Sequence, residues 1–340
     1  MYRMLDVMVG VLSLGTVGYL IYLLVLFGVL VICFASAYQA LRIKHGDTRL
    51  GFSGMVLCTA LWAATLLVYL LAEGTRTRYA AYTIAVFFGL VALIAWLYLC
   101  SAYAKMQVHR RPGVRWVLIG VTGVLGLGLA TNFYHQRFFT TQQASEPFHH
   151  LAVDAELFGL VLLSGTYLFA LLGILTLALT FYRAGYRTMP LMGVLGIAMA
   201  PVLIDIASIY SNMIISLGYA PLGVPILAIG FLYRGLERFQ IVQTTGYLRH
   251  PILFIESTGR ISDANTPAQE IFPIITESEQ VMIDDLDPGL REIVEADEPG
   301  TISVERKGVT RTYQVTINPF SIDSTQLSRM ISMRERAREH

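Results

Sequence analysis

One acidic residue stands deep inside an apolar run: Asp205, in "PVLIDIASIYSN". A lone carboxylate at membrane depth is costly unless it is protonated, hydrogen-bonded or given a counter-charge. At helical spacing Pro201, Ser208 and Asn212 fall on or near its face, so Asp205, Ser208 and Asn212 form one polar stripe. Two roles fit that stripe. One is a structural Asp, hydrogen-bonded or protonated; the other is a ligand-linked or switching group.

A second group of chemistry-bearing residues lies in "TNFYHQRFFTTQQASEPFHHLAVDAE", where His135, His149, His150 and Asp154 are all metal-ligand types. Adjacent histidines do not share a helix face, and the spacing follows no ligand pattern, so no metal is assigned. The reading is a solvated connection with aromatic anchors at Phe133, Tyr134, Phe138 and Phe139. A ligand site at these four residues is the alternative, because a stimulus arriving from outside would enter here.

Absences narrow the chemistry further. No lysine lies in an apolar span, so a retinal Schiff base has no anchor. His45, His109, His135, His149, His150, His250 and His340 all fall outside the spans, which leaves haem without ligands. Pumps and channels carry several intramembrane charges, and one carboxylate is poor equipment for that work. Cys33, Cys58 and Cys100 suggest neither a disulfide framework nor a thiolate site.

The elements that must position these residues are helices in lipid. Hydrophobic residues make up 55% of the 340 and charged residues 14%, too apolar for a soluble domain. A helix needs about 20 apolar residues to cross the hydrocarbon core. Seven windows qualify, near 17–41, 50–72, 79–104, 114–131, 156–182, 189–212 and 220–240. Residues 1–250 carry 16 Lys and Arg against 8 Asp and Glu, and residues 251–340 carry 9 against 16, so a basic membrane part precedes an acidic soluble one.

Basic residues set the expected orientation. Arg42, Lys44, Arg49, Lys105, Arg110, Arg111, Arg115, Arg183, Arg187, Arg234, Arg238 and Arg249 gather on one side, and Arg3, Arg76, Arg78 and Arg137 on the other. The richer side faces the cytoplasm, putting the N-terminus outside and the tail inside. Gly120, Gly123, Gly126 and Gly128, with Gly193, Gly196 and Ala200, read as helix-packing contacts.

After the bundle, "PILFIES" and "RISDA" are strands joined by a Ser257-Thr258-Gly259 turn. Thr266 is the expected N-cap of the next helix, with Pro267 at its first position and Gln269 completing a capping box. Asp287-Pro288 starts a further helix through Ala296. "TISVER", "TRTYQVTIN" and "TQLSRMISM" complete five strands, with a turn at Lys307-Gly308. "RERAREH" alternates charge like a solvated helix.

The order strand, strand, helices, three strands, together with "GRISDANTPAQEIF" and "RTYQVTINPF", resembles a PAS domain. With "TNFYHQ", "PVLIDIASIYSN" and "GYAPLGVPILAIGFLYRGLERFQIV" added, the chain resembles the seven-helix N-terminal region of archaeal sensor histidine kinases. The resemblance implies a membrane seven-helix bundle plus a small α+β PAS-like domain with an antiparallel five-stranded sheet. The expected divisions are a sensor domain over 1–242, a linker over 243–250, a PAS-like domain over 251–333 and the start of a signalling helix over 334–340.

In that family the bundle is the input, PAS relays, and a C-terminal kinase is the output. His340 lacks the neighbours of a phospho-acceptor, and no asparagine box or glycine-rich ATP lid occurs in the sequence. The chain is therefore expected to be no enzyme, relaying to a missing kinase core or to a separate histidine kinase or response regulator. Its expected partners are the lipid bilayer and a second copy, with no nucleic acid. No cofactor is expected: residues 251–339 hold no cysteine for a flavin adduct and no histidine for haem. A small ligand in the PAS pocket and a filled relay core both fit. A transporter or channel with a regulatory PAS tail, and a non-sensing membrane scaffold, are the rival classes.

Overall fold

The computed structural model describes residues 14–106, 108–145, 148–184, 189–210, 219–234, 236, 239, 241–242, 248, 250–278, 280–306, 309–321 and 327–335. The chain divides into two compact units, Met1–Leu177 with Leu191–Leu236, and Ala178–Pro190 with Glu237–His340.

The first unit is helical. It contains α1 (Leu14–Gln39), α2 (Gly46–Leu71), α3 (Thr75–Tyr103), α4 (Pro112–Ala130), the short α5 (Asn132–His135) and most of α6 (Leu157–Ala184). All of these but α5 are long and apolar enough to cross a membrane. α2 and α3 meet at backbone distance, since a Cβ on Gly51 would lie 2.8 Å from the N and Cα of Leu99. A glycine there lets two helices approach until their main chains touch.

The sixth and seventh expected spans are interrupted. α7 (Met189–Ala198) and α8 (Ala200–Tyr210) are separated at Met199, and Pro201 gives the reason. Proline brings no N–H to the carbonyl four residues back, and its ring clashes there. The chain crosses the break with shorter bonds, Met199 N to Gly196 O at 3.2 Å and Val202 N to Met199 O at 3.0 Å. α9 (Gly223–Ala228) runs on as a π-helical turn over Ile229–Arg234, the wider winding in which bonds skip one extra residue.

Two sequence expectations change in this unit. Gly120, Gly123, Gly193 and Gly196 have nothing within 4 Å of where a Cβ would sit, whereas Gly126 and Gly128 meet the rings of Phe87 and Phe138. The reason for α4 is its burial: Leu129 is its buried residue, while Trp116 and Val124 are about 70% exposed. The stretch read as a solvated connection is a β-hairpin, β1 (Phe139–Ala144) against β2 (His150–Ala155), in register Phe139↔Ala155 to Ala144↔His150. Thr141 opposite Val153 supplies a β-branched pair, and Thr140 stands opposite Asp154. Phe139 is buried between the rings of Tyr79 and Tyr82 rather than anchoring at an interface.

The second unit carries a five-stranded antiparallel sheet in the order β4-β3-β7-β6-β5. Its strands are β3 (Ile252–Ile255), β4 (Ile261–Ala264), β5 (Gly300–Arg306), β6 (Val309–Ser321) and β7 (Leu327–Glu335). α10 (Thr266–Ile271), α11 (Ile274–Glu277) and α12 (Pro288–Ala296) fall between β4 and β5. Gly259, at φ +81°, closes the β3–β4 turn in a conformation that side-chain-bearing residues avoid. Leu253, Ile255, Leu290, Val315, Ile331 and Met333 are fully or nearly fully buried in one core that also holds Phe272 and Tyr313.

Asp287 caps α12 as the sequence suggests, accepting from Gly289 N at 2.8 Å and Leu290 N at 3.2 Å. The cap of α10 moves by one residue. Asn265, not Thr266, occupies it, because the same amide also accepts from Ile252 N at 2.8 Å and donates to His250 O at 2.9 Å. Arg334 and Glu335, expected to open a helix, extend β7 opposite Gln314 and Tyr313. An Arg311–Glu335 ion pair at 3.3 Å accompanies that pairing. Residues 336–340, most of the expected linker and the Lys307-Gly308 turn lie outside the described residues.

Candidate functional site

Asp205 is 6% exposed on α8, and its carboxylate is held from two other segments. The Tyr167 hydroxyl, on α6, donates to Oδ2. The backbone N–H of Tyr219 donates to Oδ1 at 2.5 Å. Tyr219 continues the chain of polar contacts, its hydroxyl sharing a 2.6 Å hydrogen bond with that of Tyr22 on α1. Two segments distant in sequence thus converge on one acidic side chain, and α1 is linked to it through Tyr219. Donors aimed at both carboxylate oxygens satisfy the buried acceptor, and in a low-dielectric setting they carry more weight than they would in water.

Ser208 stands one turn on, its hydroxyl donating to the Asp205 carbonyl at 2.7 Å rather than to the carboxylate. Asn212 lies outside the described residues. Of the predicted stripe, the structure therefore joins Asp205 and Ser208 through the backbone. The carboxylate's own partners come from Tyr167 and Tyr219, which sequence spacing did not single out. One signal was present: Ser164-Gly165-Thr166-Tyr167 is a polar interruption in the middle of an apolar span.

Beside this centre is a cavity of about 260 Å³ inside the first unit. Its walls are mainly apolar and aromatic, with Trp62, Tyr82, Trp96, Phe139 and Tyr167 among them, and Asp205 and Ser208 at one side. A concave, mostly apolar pocket with a few convergent polar groups is the usual form of a small-molecule site. The β-hairpin covers part of it, contributing Phe139, Val153 and Ala155 to the lining. Asn132 fixes that cover: fully buried, it donates to Phe139 O at 2.8 Å and to the Tyr79 hydroxyl at 3.0 Å, and accepts from Phe138 N at 2.9 Å. The Tyr69 hydroxyl adds a 2.5 Å bond to Leu151 O.

The predicted ligand set in that hairpin is not assembled. His150 is buried and its Nδ1 bonds to Phe148 O at 2.8 Å. The Asp154 carboxylate accepts from Gln142 at 2.9 Å, four residues and roughly 13 Å further along the strand. His135 ends α5, with Nδ1 accepting from Arg137 N at 3.1 Å, and His149 precedes β2. Among the described residues no three His, Cys, Asp or Glu side chains gather as a metal site.

A polar cluster that the sequence did not suggest joins α2, α3 and the segment after α3. His109 is 6% exposed; its Nε2 lies 3.3 Å from Asp47 Oδ2 and its Nδ1 lies 3.1 Å from Ser101 Oγ. Arg110 adds bonds to the same Asp47 oxygen, at 2.5 Å from Nη2 and 3.0 Å from Nε. The Arg115 Nε holds the His109 carbonyl at 2.8 Å. Asp47 also sits in the first turn of α2, where the helix dipole favours a negative charge. Nearby, burial and the charges of Lys105 and Lys44 hold the His45 imidazole below its ordinary pKa. Ser, His and Asp are in contact here, but Arg110 occupies the carboxylate and Ser101 Oγ accepts from His109 N at 3.3 Å, so the arrangement fastens a loop.

Comparison with curated proteins finds no relative that matches. The family comparison does: residues 21–244 match the model of the N-terminal 7TM region of histidine kinase, a stretch that contains the Asp205 centre, the cavity and the Asp47–His109 cluster. With its several long apolar helices the protein is a multi-pass membrane protein, and by this match the chain belongs to the family of N-terminal 7TM regions of histidine kinases.

Proposed function

We propose that the protein is a membrane receptor whose seven-span bundle detects a stimulus and passes it through a cytoplasmic PAS domain to a kinase. The observation that carries this is the Asp205 centre. One buried carboxylate ties α6, α8, the segment at Tyr219 and, through Tyr219, α1, beside a cavity of ligand size. Such a junction has discrete arrangements, and a ligand or protonation event that favours one of them shifts helix packing. Under this reading the two interrupted apolar segments complete seven spans, with the N-terminus outside and the acidic unit in the cytoplasm.

The strand and helix order of the second unit and its antiparallel sheet support the PAS reading, and its apolar core suits a relay. The sequence holds no phospho-acceptor motif or ATP lid, so output is assigned to a kinase core beyond these residues or to a separate signalling partner. A second copy of the chain completes the assembly. Crosslinking from native membranes tests output: a histidine kinase or response regulator should co-purify, and its absence in both stimulated and resting cells refutes the relay. Protease added to right-side-out vesicles should spare everything beyond Pro251; cleavage there with the membrane sealed overturns the orientation.

A further inference from the structure

Within the first unit the helical threonines have a common habit. Thr65, Thr83, Thr122, Thr166 and Thr176 each turn the hydroxyl back onto a carbonyl three or four residues earlier, at 2.7 to 2.9 Å. Thr59, in the middle of α2 and 1% exposed, has no hydrogen-bond partner for its Oγ1 among the described residues. Three residues on, and on the same helix face, Trp62 has a buried indole N–H that is likewise unpartnered. Both residues line the cavity. Trp96, across the same cavity, shows the normal outcome, its indole N–H donating to Ala170 O at 3.2 Å.

Buried polar groups are nearly always paired, so two orphans on one wall of one cavity mark a place where a partner is supplied from elsewhere. Water is a poor candidate to fill the whole space. The volume corresponds to about eight or nine waters, each needing two to four polar contacts, and the walls are mainly hydrocarbon and aromatic. Among the described residues no Lys, Arg or His lines the cavity, so an anion finds no counter-charge there. The one carboxylate present, Asp205, is engaged by Tyr167 and Tyr219.

We infer that the cavity binds a small neutral molecule, largely hydrocarbon or aromatic, that offers one hydrogen-bond acceptor such as a carbonyl to Trp62 Nε1 and Thr59 Oγ1. A tryptophan N–H can only donate, which fixes the ligand's side of the bond as an acceptor. The inference deepens the receptor reading, and it rests on that reading for what occupancy does to helix packing. Binding itself is a property of the bundle.

The test uses three bicyclic probes of one shape: 1-indanone, which carries the acceptor; indane, which lacks it; and 2-aminoindane, a cation. Each is titrated into the purified full chain in nanodiscs by saturation-transfer NMR, with Thr59→Val, Trp62→Phe and the double variant run alongside. Thr59→Val keeps size and shape, Trp62→Phe removes the N–H together with one ring of the indole, and thermal melts confirm that each variant is folded. The expected result is saturable binding of 1-indanone at least tenfold tighter than indane, since a site with buried donors rejects the analogue that leaves them unpaired. The ratio should shrink in each single variant and approach one in the double variant, which also cancels partition into lipid. Equal affinity for ketone and hydrocarbon in the wild type overturns the inference and marks a lipid-tail crevice. So does a preference that survives in the double variant, an absence of saturable binding, or a preference for the amine that Asp205→Asn abolishes. Loss of a signalling partner in the crosslinking experiment, with the ketone preference intact, refutes the receptor reading alone.

Discussion

The hydroxyl of Tyr167 donates to the carboxylate of Asp205 across 38 residues of sequence, joining the middle of α6 to α8 just beyond the break made by Pro201. The proline matters to this contact, because it starts a new helix whose first turns carry Asp205. An uninterrupted helix through 189–212 would point that side chain along a different line.

Removing the acceptor should therefore hurt more than removing one donor. Asp205→Ala removes the acceptor shared by the Tyr167 hydroxyl and the Tyr219 N–H, at about 1–3 kcal/mol for each hydrogen bond lost. Tyr167→Phe deletes a single hydrogen bond, worth about 0.6 kcal/mol on average between membrane helices. Asp205→Asn keeps one acceptor oxygen and should fall between them. Thermal unfolding in nanodiscs orders the three. Under the proposed receptor function, a stable Asp205→Asn protein whose output no longer responds to stimulus would assign Asp205 a switching role, and an unchanged response would leave it a structural one.

In the Asp47 cluster, the buried partner should outweigh the exposed one. Arg110 is largely in solvent, so water screens its ion pair with Asp47 and little stability comes from it despite the 2.5 Å contact. His109 is buried and bridges Asp47 and Ser101, and replacing it leaves both short of a partner. His109→Ala is expected to lower stability by about 1–3 kcal/mol and Arg110→Ala by clearly less. Denaturation of the two variants side by side reads the difference, and equal losses would contradict the assignment.

Asn265 is 2% exposed and ties together the start of β3, the end of β4 and the first turn of α10. Asn265→Ala should destabilise the second unit by about 1–2 kcal/mol or more, the usual loss of a cap plus an unpaired Ile252 N–H. Thr266→Ala, one residue away, should cost no more than a few tenths of that. Hydrogen exchange at Ala268 and Ile252 amides is the direct reading.

His250 gives a pH dependence with a definite sign. Partial burial, and then the charge of Arg334, hold its pKa below the ordinary value of 6.5. The unfolded chain therefore takes up the proton more readily than the folded one, and stability rises with pH through that interval. The stability is complete above about pH 6.5 and is lost as pH falls through the folded pKa. Melting of the second unit should shift downward on acidification from pH 7.5 to 5, and His250→Gln should flatten the shift.

Much of this was legible in one dimension. Lipid leaves the backbone only helices or closed barrels, so long apolar runs announced α1 to α4 and α6 without any tertiary information. In the second unit, period-two alternation at Tyr313, Val315 and Ile317 and the Asp287-Pro288 start signal reflect local physics, which the folded chain kept. Asp205 was conspicuous for a thermodynamic reason, since a charge among apolar neighbours stands out wherever it occurs. What spacing could not supply was its partners. Tyr167, Tyr219 and Tyr22 lie on three other segments, and side chains meet across helices only once crossing points are set by packing. The same holds for Asp47 and His109, 62 residues apart, and for the hairpin that converts a polar connection into the roof of a cavity. Sequence determined which groups must be buried; the tertiary structure decided which of them meet, because hydrogen bonds depend on ångströms that no residue count encodes.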